Sequence, residues 1–183
     1  MDFDLVLRDL LDGLYHSRIR YATIGGFALG VLGVPRTTMD LDFLVHREDL
    51  DTLHALLTEL GYDRAIRSEN VSHYRHRDVA WGGVDILHAF RPHSIAMLGR
   101  AGERHLMGGS RVIRVAEAED VIGLKIQAMT NDPRREAQEI ADIESLARRY
   151  GGSLDWARLE EYYQLFGLEA EGRELRSRFE HAE

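Results

Sequence analysis

The sequence contains no cysteine among its 183 residues. This absence excludes disulfide scaffolds, thiolate catalysis and zinc sites built on cysteine, and it suits a reducing compartment. No apolar run reaches the roughly 20 residues that span a bilayer. The N-terminal segment is acidic and amphipathic, whereas a secretory signal begins with basic residues and continues with an apolar stretch. We therefore expect a cytoplasmic protein without a membrane segment.

Lysine is nearly absent too, since Lys125 is the only one and the other basic residues are arginines. The 23 basic residues face 31 acidic ones, which gives a formal net charge of −8. This balance excludes a broad basic face of the kind that holds DNA. Arginine pairs with phosphates and carboxylates through a planar fork, so the composition does not exclude local sites for anions. The stretch from His73 to Arg77 is one local patch that could contact RNA.

The order of apolar and polar residues predicts an α+β fold. A mixed β-sheet flanked by helices is expected in residues 1–116, and a C-terminal helical region packed on it in residues 117–183. The predicted strands are 21–24, 39–45, 62–67, 71–77, 81–88 and one or two edge strands within 104–115. The predicted helices are 3–18, 27–33, 48–60, 92–101, 117–130, 134–149, 155–166 and 168–180.

Two aspartates on one predicted strand are the first candidates for chemistry. Asp40 and Asp42 lie two residues apart, so both carboxylates point to the same face. Such carboxylates repel each other unless a cation lies between them, and hard oxygen ligands suit Mg²⁺ or Mn²⁺. Asp85, between Val84 and Ile86 on another predicted strand, would bring a third carboxylate if that strand is adjacent. Three carboxylates can hold two metal ions for phosphoryl transfer, with Asp85 also placed as general base.

A pair of glycines comes where a predicted strand turns into a helix. Gly25 and Gly26 lack Cβ atoms, so the backbone can approach a ligand closely, and a helix start attracts phosphate. Arg36 and Thr38 precede Asp40 by four and two residues. They could add a charged fork and a hydroxyl donor to a triphosphate.

These motifs together resemble the DNA polymerase beta nucleotidyltransferase superfamily. The shared pattern is Gly-Gly, thirteen residues, then Asp-Leu-Asp, with a later aspartate between apolar residues. The finer form, IGGFAL followed by RTTMDLD, resembles the bacterial minimal and abortive-infection (AbiEii-like) branch, some of whose members are toxins. That branch also tends to carry a lysine-bearing helix, matched here by Lys125, and a later acidic helix, matched by Glu139 and Asp142. Two departures are Gly-Gly where relatives often have Gly-Ser, and Gln138-Glu139 where the branch often has Lys-Asp.

The resemblance implies a nucleotidyltransferase fold, with the catalytic core in residues 1–116. It implies an enzyme that moves a nucleoside monophosphate from an NTP to an acceptor hydroxyl on tRNA or protein. Such an enzyme could be the toxin of a toxin–antitoxin pair, with an antitoxin as partner. The implied metal ligands are Asp40, Asp42 and Asp85, with Asp85 as ligand or base, and the implied nucleotide contacts are Gly25, Gly26, Arg36 and Lys125.

Several alternatives stay open at this point. A small-molecule acceptor such as an aminoglycoside is the second enzymatic hypothesis, and a non-catalytic nucleotide- or partner-binding module is the rival class. The aromatic segment 156–166 either packs the C-terminal helices together or docks a partner or a second copy of the chain as a homo-oligomer. His73 and His76 are three residues apart and face opposite sides of a strand, which argues against a shared zinc. His88 faces away from Asp85 for the same reason.

Overall fold

A computed structural model describes residues 3–109 and 111–181. The chain divides into two compact units. The first consists of the residues up to Val31 together with Arg36–Ala116, and the second of Leu32–Pro35 together with the chain from Glu117 onward.

The first unit is built on a seven-stranded mixed sheet with the order β3-β4-β5-β2-β1-β7-β6. The pairs β2–β5 and β1–β7 are parallel, and the other neighbouring strands are antiparallel. The strands are β1 Tyr21–Ile24, β2 Asp40–His46, β3 Tyr62–Arg67, β4 Val71–His76, β5 Gly83–Ala89, β6 Gly102–Leu106 and β7 Arg111–Val115.

Among the described residues, four α-helices belong to the sheet unit and four others to the second unit. The helices are α1 Phe3–His16, α2 Gly25–Val31, α3 Leu50–Glu59, α4 Pro92–Arg100, α5 Ala118–Asn131, α6 Glu136–Tyr150, α7 Trp156–Leu165 and α8 Glu169–Phe179. The predicted α+β fold is thus confirmed. No helix in the described part of the chain is both long and apolar enough to pass through a membrane.

The central strands form the core of the sheet unit because their apolar side chains are covered. Leu41, Leu44 and Val45 of β2 are completely buried, and Phe43 is almost so. Burial alternates only in the first part of the strand, where Asp40 and Asp42 are half-buried and Leu41 between them is buried. One end of β2 therefore carries polar groups while the rest of the strand contributes to the core.

The glycine pair belongs to α2 itself, whereas the sequence pattern predicted a helix that begins at Phe27. Strand β1 ends at Ile24, and α2 begins at once with Gly25. Gly25 has a φ of 65°, a left-handed conformation that glycine adopts readily. This single residue makes the joint between strand and helix, so no connecting loop is needed.

The helical unit has a core of its own, in which the aromatic segment takes part. Trp156, Tyr162 and Tyr163 of α7 are buried. The Tyr162 hydroxyl donates to Asp120 Oδ1 at 2.7 Å, and Trp156 Nε1 donates to the Gly151 carbonyl at 2.9 Å. These aromatic side chains therefore contribute to the packing of the C-terminal helices.

Candidate active site

Three aspartates meet on the two parallel strands β2 and β5. The register pairs Asp40 with Gly83 and Asp42 with Asp85. Residues that are paired across a sheet, or lie two apart along one strand, project to the same face. Asp40, Asp42 and Asp85 therefore share one face, and all three are half-buried.

Asp40 is fixed by groups from both sides. Its Oδ1 accepts a hydrogen bond from the Gly83 backbone N–H at 2.9 Å. The Thr38 hydroxyl donates to the Asp40 carbonyl at 3.0 Å, and the Asp40 N–H approaches the same hydroxyl at 3.3 Å. Thr38, predicted as a triphosphate donor, is here engaged with the backbone of Asp40.

Asp42 lies directly against the start of α2. A Cβ at Gly25 would be 2.1 Å from Asp42 Oδ2, far closer than any side chain can approach. A Cβ at Gly26 would be 3.1 Å from the Thr38 Cβ and 3.7 Å from the Arg36 Cγ. The glycine pair thus brings bare backbone beside one of the acids and beside Arg36 and Thr38.

Asp85 has two basic neighbours from the adjacent strand β4. Arg75 Nη1 donates to Asp85 Oδ1 at 2.8 Å and also to the Tyr74 carbonyl at 2.9 Å. His73 Nδ1 lies 2.9 Å from the same carboxylate oxygen, but the contact is not directed as a hydrogen bond. The hydrogen bond to Asp85, with the charges of Asp85, Asp40 and Asp42, raises the pKa of Arg75 above its ordinary value.

His73 and Arg75 are the site residues that the sequence analysis missed. Zinc binding by His73 was argued against, and both residues were placed only in the local basic patch from His73 to Arg77. The alternation in β4 could have indicated them. Ser72 and Tyr74 are buried, so His73 and Arg75 face the other side of the sheet. Only the pairing of His73 with Asp85 brings that face to the aspartates.

His88 lies away from the aspartates and is buried. Its Nε2 is 2.9 Å from the Ser72 hydroxyl, and its Nδ1 is 2.9 Å from the Glu69 carbonyl. Because a carbonyl only accepts, Nδ1 carries the proton and Nε2 accepts from the hydroxyl. This histidine is a satisfied core residue.

Lys125 belongs to the helical unit and is also buried. Its ammonium donates to Glu139 Oε2 at 2.8 Å and to Asp142 Oδ2 at 2.6 Å. Arg135 also pairs with Glu139, and Gln138 Nε2 donates to Asp142 Oδ1 at 3.1 Å. The three residues to which the family resemblance pointed thus form one buried charge network.

The aspartate cluster has the donor chemistry of a divalent-metal site. Three carboxylates supply the hard oxygens that Mg²⁺ and Mn²⁺ prefer. Across residues 3–109 and 111–181, however, no three His, Asp or Glu side chains are arranged around a common point as ligands. Asp85 is paired with Arg75, and one oxygen of Asp40 is held by the Gly83 N–H. The three carboxylates suit a cation, and the Arg75 guanidinium already lies beside them.

A separate cavity lies in another part of the sheet unit. It measures about 810 Å³ and is lined by side chains that include Leu14, Tyr21, His46 and Leu98. Because β2 runs from Asp40 to His46, this cavity is at the opposite end of the strand from the aspartates. Its lining is mostly apolar and holds no carboxylate cluster, so the candidate chemistry is not there.

Comparisons with known proteins identify a family and a shared fold. The family described as uncharacterised nucleotidyltransferase has a sequence model that matches residues 6–173. The solution structure of the antibiotic-resistance factor ANT(2'')-Ia is 17% identical, with a TM-score of 0.68, over 97% of this chain and 99% of that one. An antigenic nucleotidyltransferase-like protein from Paracoccidioides brasiliensis is 18% identical, with a TM-score of 0.58, over 96% and 92% of the two chains.

A third solved structure, the lincosamide antibiotic adenylyltransferase LnuA with lincomycin bound, is 16% identical with a TM-score of 0.56. The match covers 78% of this chain and 95% of that one. Among curated proteins, no sequence matches the chain. At these identities the solved structures establish a common fold.

Proposed function

The chain belongs to a family of nucleotidyltransferases, and we propose that its three aspartates serve a metal-dependent transfer of a nucleoside monophosphate from an NTP to an acceptor hydroxyl. The observation that carries the proposal is the register of β2 and β5, in which Asp42 stands opposite Asp85 and Asp40 is two residues away. Three carboxylates on one face repel one another, and a bound divalent cation would relieve that repulsion.

In this proposal Asp40, Asp42 and Asp85 hold Mg²⁺ or Mn²⁺. The bound ions would neutralise charge on the triphosphate and on the group that leaves. Asp85 takes the proton from the acceptor hydroxyl. The acceptor oxygen then forms a bond to the α-phosphorus while the bond to pyrophosphate breaks.

The nucleotide contacts are proposed for the glycine pair and its neighbours. Gly25 and Gly26 offer bare backbone next to Asp42, and Arg36 lies beside Gly26. A guanidinium at this position can pair with phosphate oxygens in a fork. Thr38 would position Asp40, to which it is hydrogen-bonded, and would contact phosphate only after rearrangement. Lys125 is the least supported of the nucleotide contacts, because its ammonium is already shared by Glu139 and Asp142.

We propose two alternative classes of acceptor. The resemblance to the abortive-infection branch favours a tRNA 3′ end or a protein hydroxyl, and with it a toxin role and an antitoxin partner. The structural neighbours favour a small molecule, since ANT(2'')-Ia was also solved with adenylyl-2''-tobramycin. The net charge of −8 supports the small molecule over RNA, because it disfavours a broad RNA-binding face.

The test is a label-transfer assay with each α-labelled NTP and Mg²⁺, beside Asp42→Ala. Acceptors are cellular RNA, cellular protein and a panel of aminoglycosides and lincosamides. Label that reaches an acceptor with the wild type and is lost in the variant supports the proposal and identifies donor and acceptor together. NTP binding without transfer in every arm would favour the non-catalytic binding module. No NTP binding at all would remove the site assignment.

A further inference from the structure

Arg75 occupies the position of a cation among the three carboxylates. Its Nη1 is 2.8 Å from Asp85 Oδ1. A Cβ placed on Gly83 would lie 2.2 Å from Arg75 Nη1 and 2.4 Å from Asp40 Oδ1. The guanidinium and the Asp40 carboxylate therefore reach the same point above Gly83. Arg75 is thus paired directly with Asp85 on β5 and lies near the Asp40 carboxylate on β2.

The absence of a side chain at residue 83 makes this arrangement sterically permitted. Gly83 pairs with Asp40 on one side and with Arg75 on the other. Any Cβ would displace the guanidinium or the carboxylate, so only glycine allows both to lie over the strand. The contact of Arg75 with the aspartates is therefore built into three adjacent strands rather than made by chance on the surface.

The contact matters because Arg75 balances part of the negative charge of the aspartates. Asp40, Asp42 and Asp85 bring three negative charges to one face, and each of them acts on the Arg75 guanidinium. Divalent cations seek the same oxygens, because carboxylates are their usual ligands. A guanidinium and a metal ion cannot both be close to Asp85 without strong mutual repulsion.

We infer that Arg75 is a resident counter-ion of the aspartate cluster, which competes with the divalent metal for Asp85 and withdraws when the metal binds. The inference rests on the proposed function, because it takes the aspartates as the metal ligands. The Arg75 side chain is 49% exposed, so the guanidinium can move into solvent without displacing the core. The ion pair keeps the acids together in the metal-free protein and weakens metal binding by the energy needed to break it.

The test measures Mn²⁺ binding to the purified full-length protein without nucleotide, by the paramagnetic resonance signal of the free ion. In Arg75→Gln the competing charge is gone, and we expect the Kd for Mn²⁺ to fall about fivefold, as for a partly exposed ion pair. Arg75→Lys keeps a cation on the same strand and should stay close to the wild type. The matched control is Arg77→Gln, which removes the same charge from an 87% exposed side chain paired with Asp63.

A Kd that is unchanged or raised in Arg75→Gln would overturn the inference, as would an equal fall in Arg77→Gln. Asp42→Asn tests the proposed function separately, because it removes a metal ligand. If Asp42→Asn abolishes Mn²⁺ binding while Arg75→Gln leaves it unchanged, only the counter-ion role fails. If Mn²⁺ binding is indifferent to Asp42→Asn, the metal site and with it the counter-ion role fail. Circular dichroism spectra of all variants verify that each is folded.

Discussion

Asp42 of β2 and Asp85 of β5 stand directly opposite each other on adjacent parallel strands. Like charges at such a position destabilise a sheet. Here the repulsion among the aspartates is offset by two hydrogen bonds. Arg75 donates to Asp85, and the backbone N–H of Gly83 donates to Asp40. The pairing with Arg75 thus relieves part of the repulsion within the cluster, and the proposed metal would take the place of the arginine beside Asp85.

Divalent ions should therefore stabilise the fold through these aspartates. We expect Mg²⁺ or Mn²⁺ to raise the melting temperature of the wild type by several degrees, and a chelator to reverse the change. A ligand present at a hundred times its Kd stabilises the native state by about 2.7 kcal/mol. Asp42→Asn should lose this metal-dependent rise, and nucleotidyl transfer should fall at least a hundredfold. Thermal unfolding with and without metal measures the first effect.

The control for this prediction is Asp63→Asn, which neutralises an exposed aspartate on β3 whose partner is Arg77. It should keep the full metal-dependent rise. A rise that persists in Asp42→Asn would mean that the ion binds elsewhere and would remove the metal role of the cluster.

The left-handed glycine at the start of α2 should not tolerate a side chain. In Gly25→Ala the new Cβ would overlap Asp42 Oδ2 in a backbone conformation with a φ of 65°. We expect a loss of about 1–3 kcal/mol in the free energy of unfolding, together with a loss of transfer activity because Asp42 is displaced. Urea unfolding at neutral pH gives the stability change.

Gly30→Ala is the matched control because it lies in the same helix. A Cβ there meets no atom within 4 Å, and alanine favours a helix by about 1 kcal/mol over glycine. This variant should be as stable as the wild type or more so, and fully active. Equal behaviour of the two variants would show that Asp42 does not depend on the bare backbone at Gly25.

Local periodicity was sufficient to predict most elements of this fold. The helix over 92–101 and the strands over 62–67 and 81–88 correspond to α4, β3 and β5 within one or two residues at each end. Side-chain alternation along a strand is local information. The strand order is not, because β2 lies between β1 and β5 through contacts between residues about 20 and 40 positions apart. From the sequence alone, Asp85 is therefore expected beside Asp42 only if its strand lies next to β2.

Contacts that depend on how two elements pair could not be predicted from the sequence. Arg75 looked like part of an exposed basic patch, since its partner is ten residues away on another strand. Lys125 was assigned to the triphosphate by resemblance, and its contacts with Glu139 and Asp142 depend on how α5 packs on α6. Neither contact follows from the spacing along a single element.

The buried network around Lys125 should be essential for stability. Lys125→Met would leave Glu139 and Asp142, both almost fully buried, without their shared cation. Breaking a buried ion pair by removing one partner costs about 3–5 kcal/mol, and urea unfolding should show a loss of that size. If Lys125 also contacts the triphosphate, the Kd for NTP, measured where the variant is folded, rises as well.

Two comparisons separate charge from packing in this network. The triple variant Lys125→Met, Glu139→Gln and Asp142→Asn removes all three charges and should recover part of the lost stability. Arg134→Met breaks an ion pair with Asp132 at a side chain that is 90% exposed and should change stability by less than about 1 kcal/mol. A Lys125→Met variant as stable as the wild type would contradict the structural role of the network.

His88 should make the sheet unit sensitive to mild acid. Burial lowers the pKa of His88 below its ordinary value of 6.5, so the unfolded chain binds the proton more readily than the native protein does. The contribution of His88 to stability is therefore complete above about pH 6.5 and is lost as the pH falls from there through the folded pKa. Protonation also turns Nε2 into a donor, so the Ser72 hydroxyl would have to turn and accept the hydrogen bond that it now donates.

We expect the free energy of unfolding of the wild type to fall between pH 7.5 and 5.5 by on the order of 1 kcal/mol more than that of His88→Gln. Urea unfolding at both pH values measures the difference. His105→Gln, at an exposed histidine of β6, should keep the pH dependence of the wild type. Parallel profiles for the wild type and His88→Gln would show that the buried imidazole is not the group that makes the fold acid-sensitive.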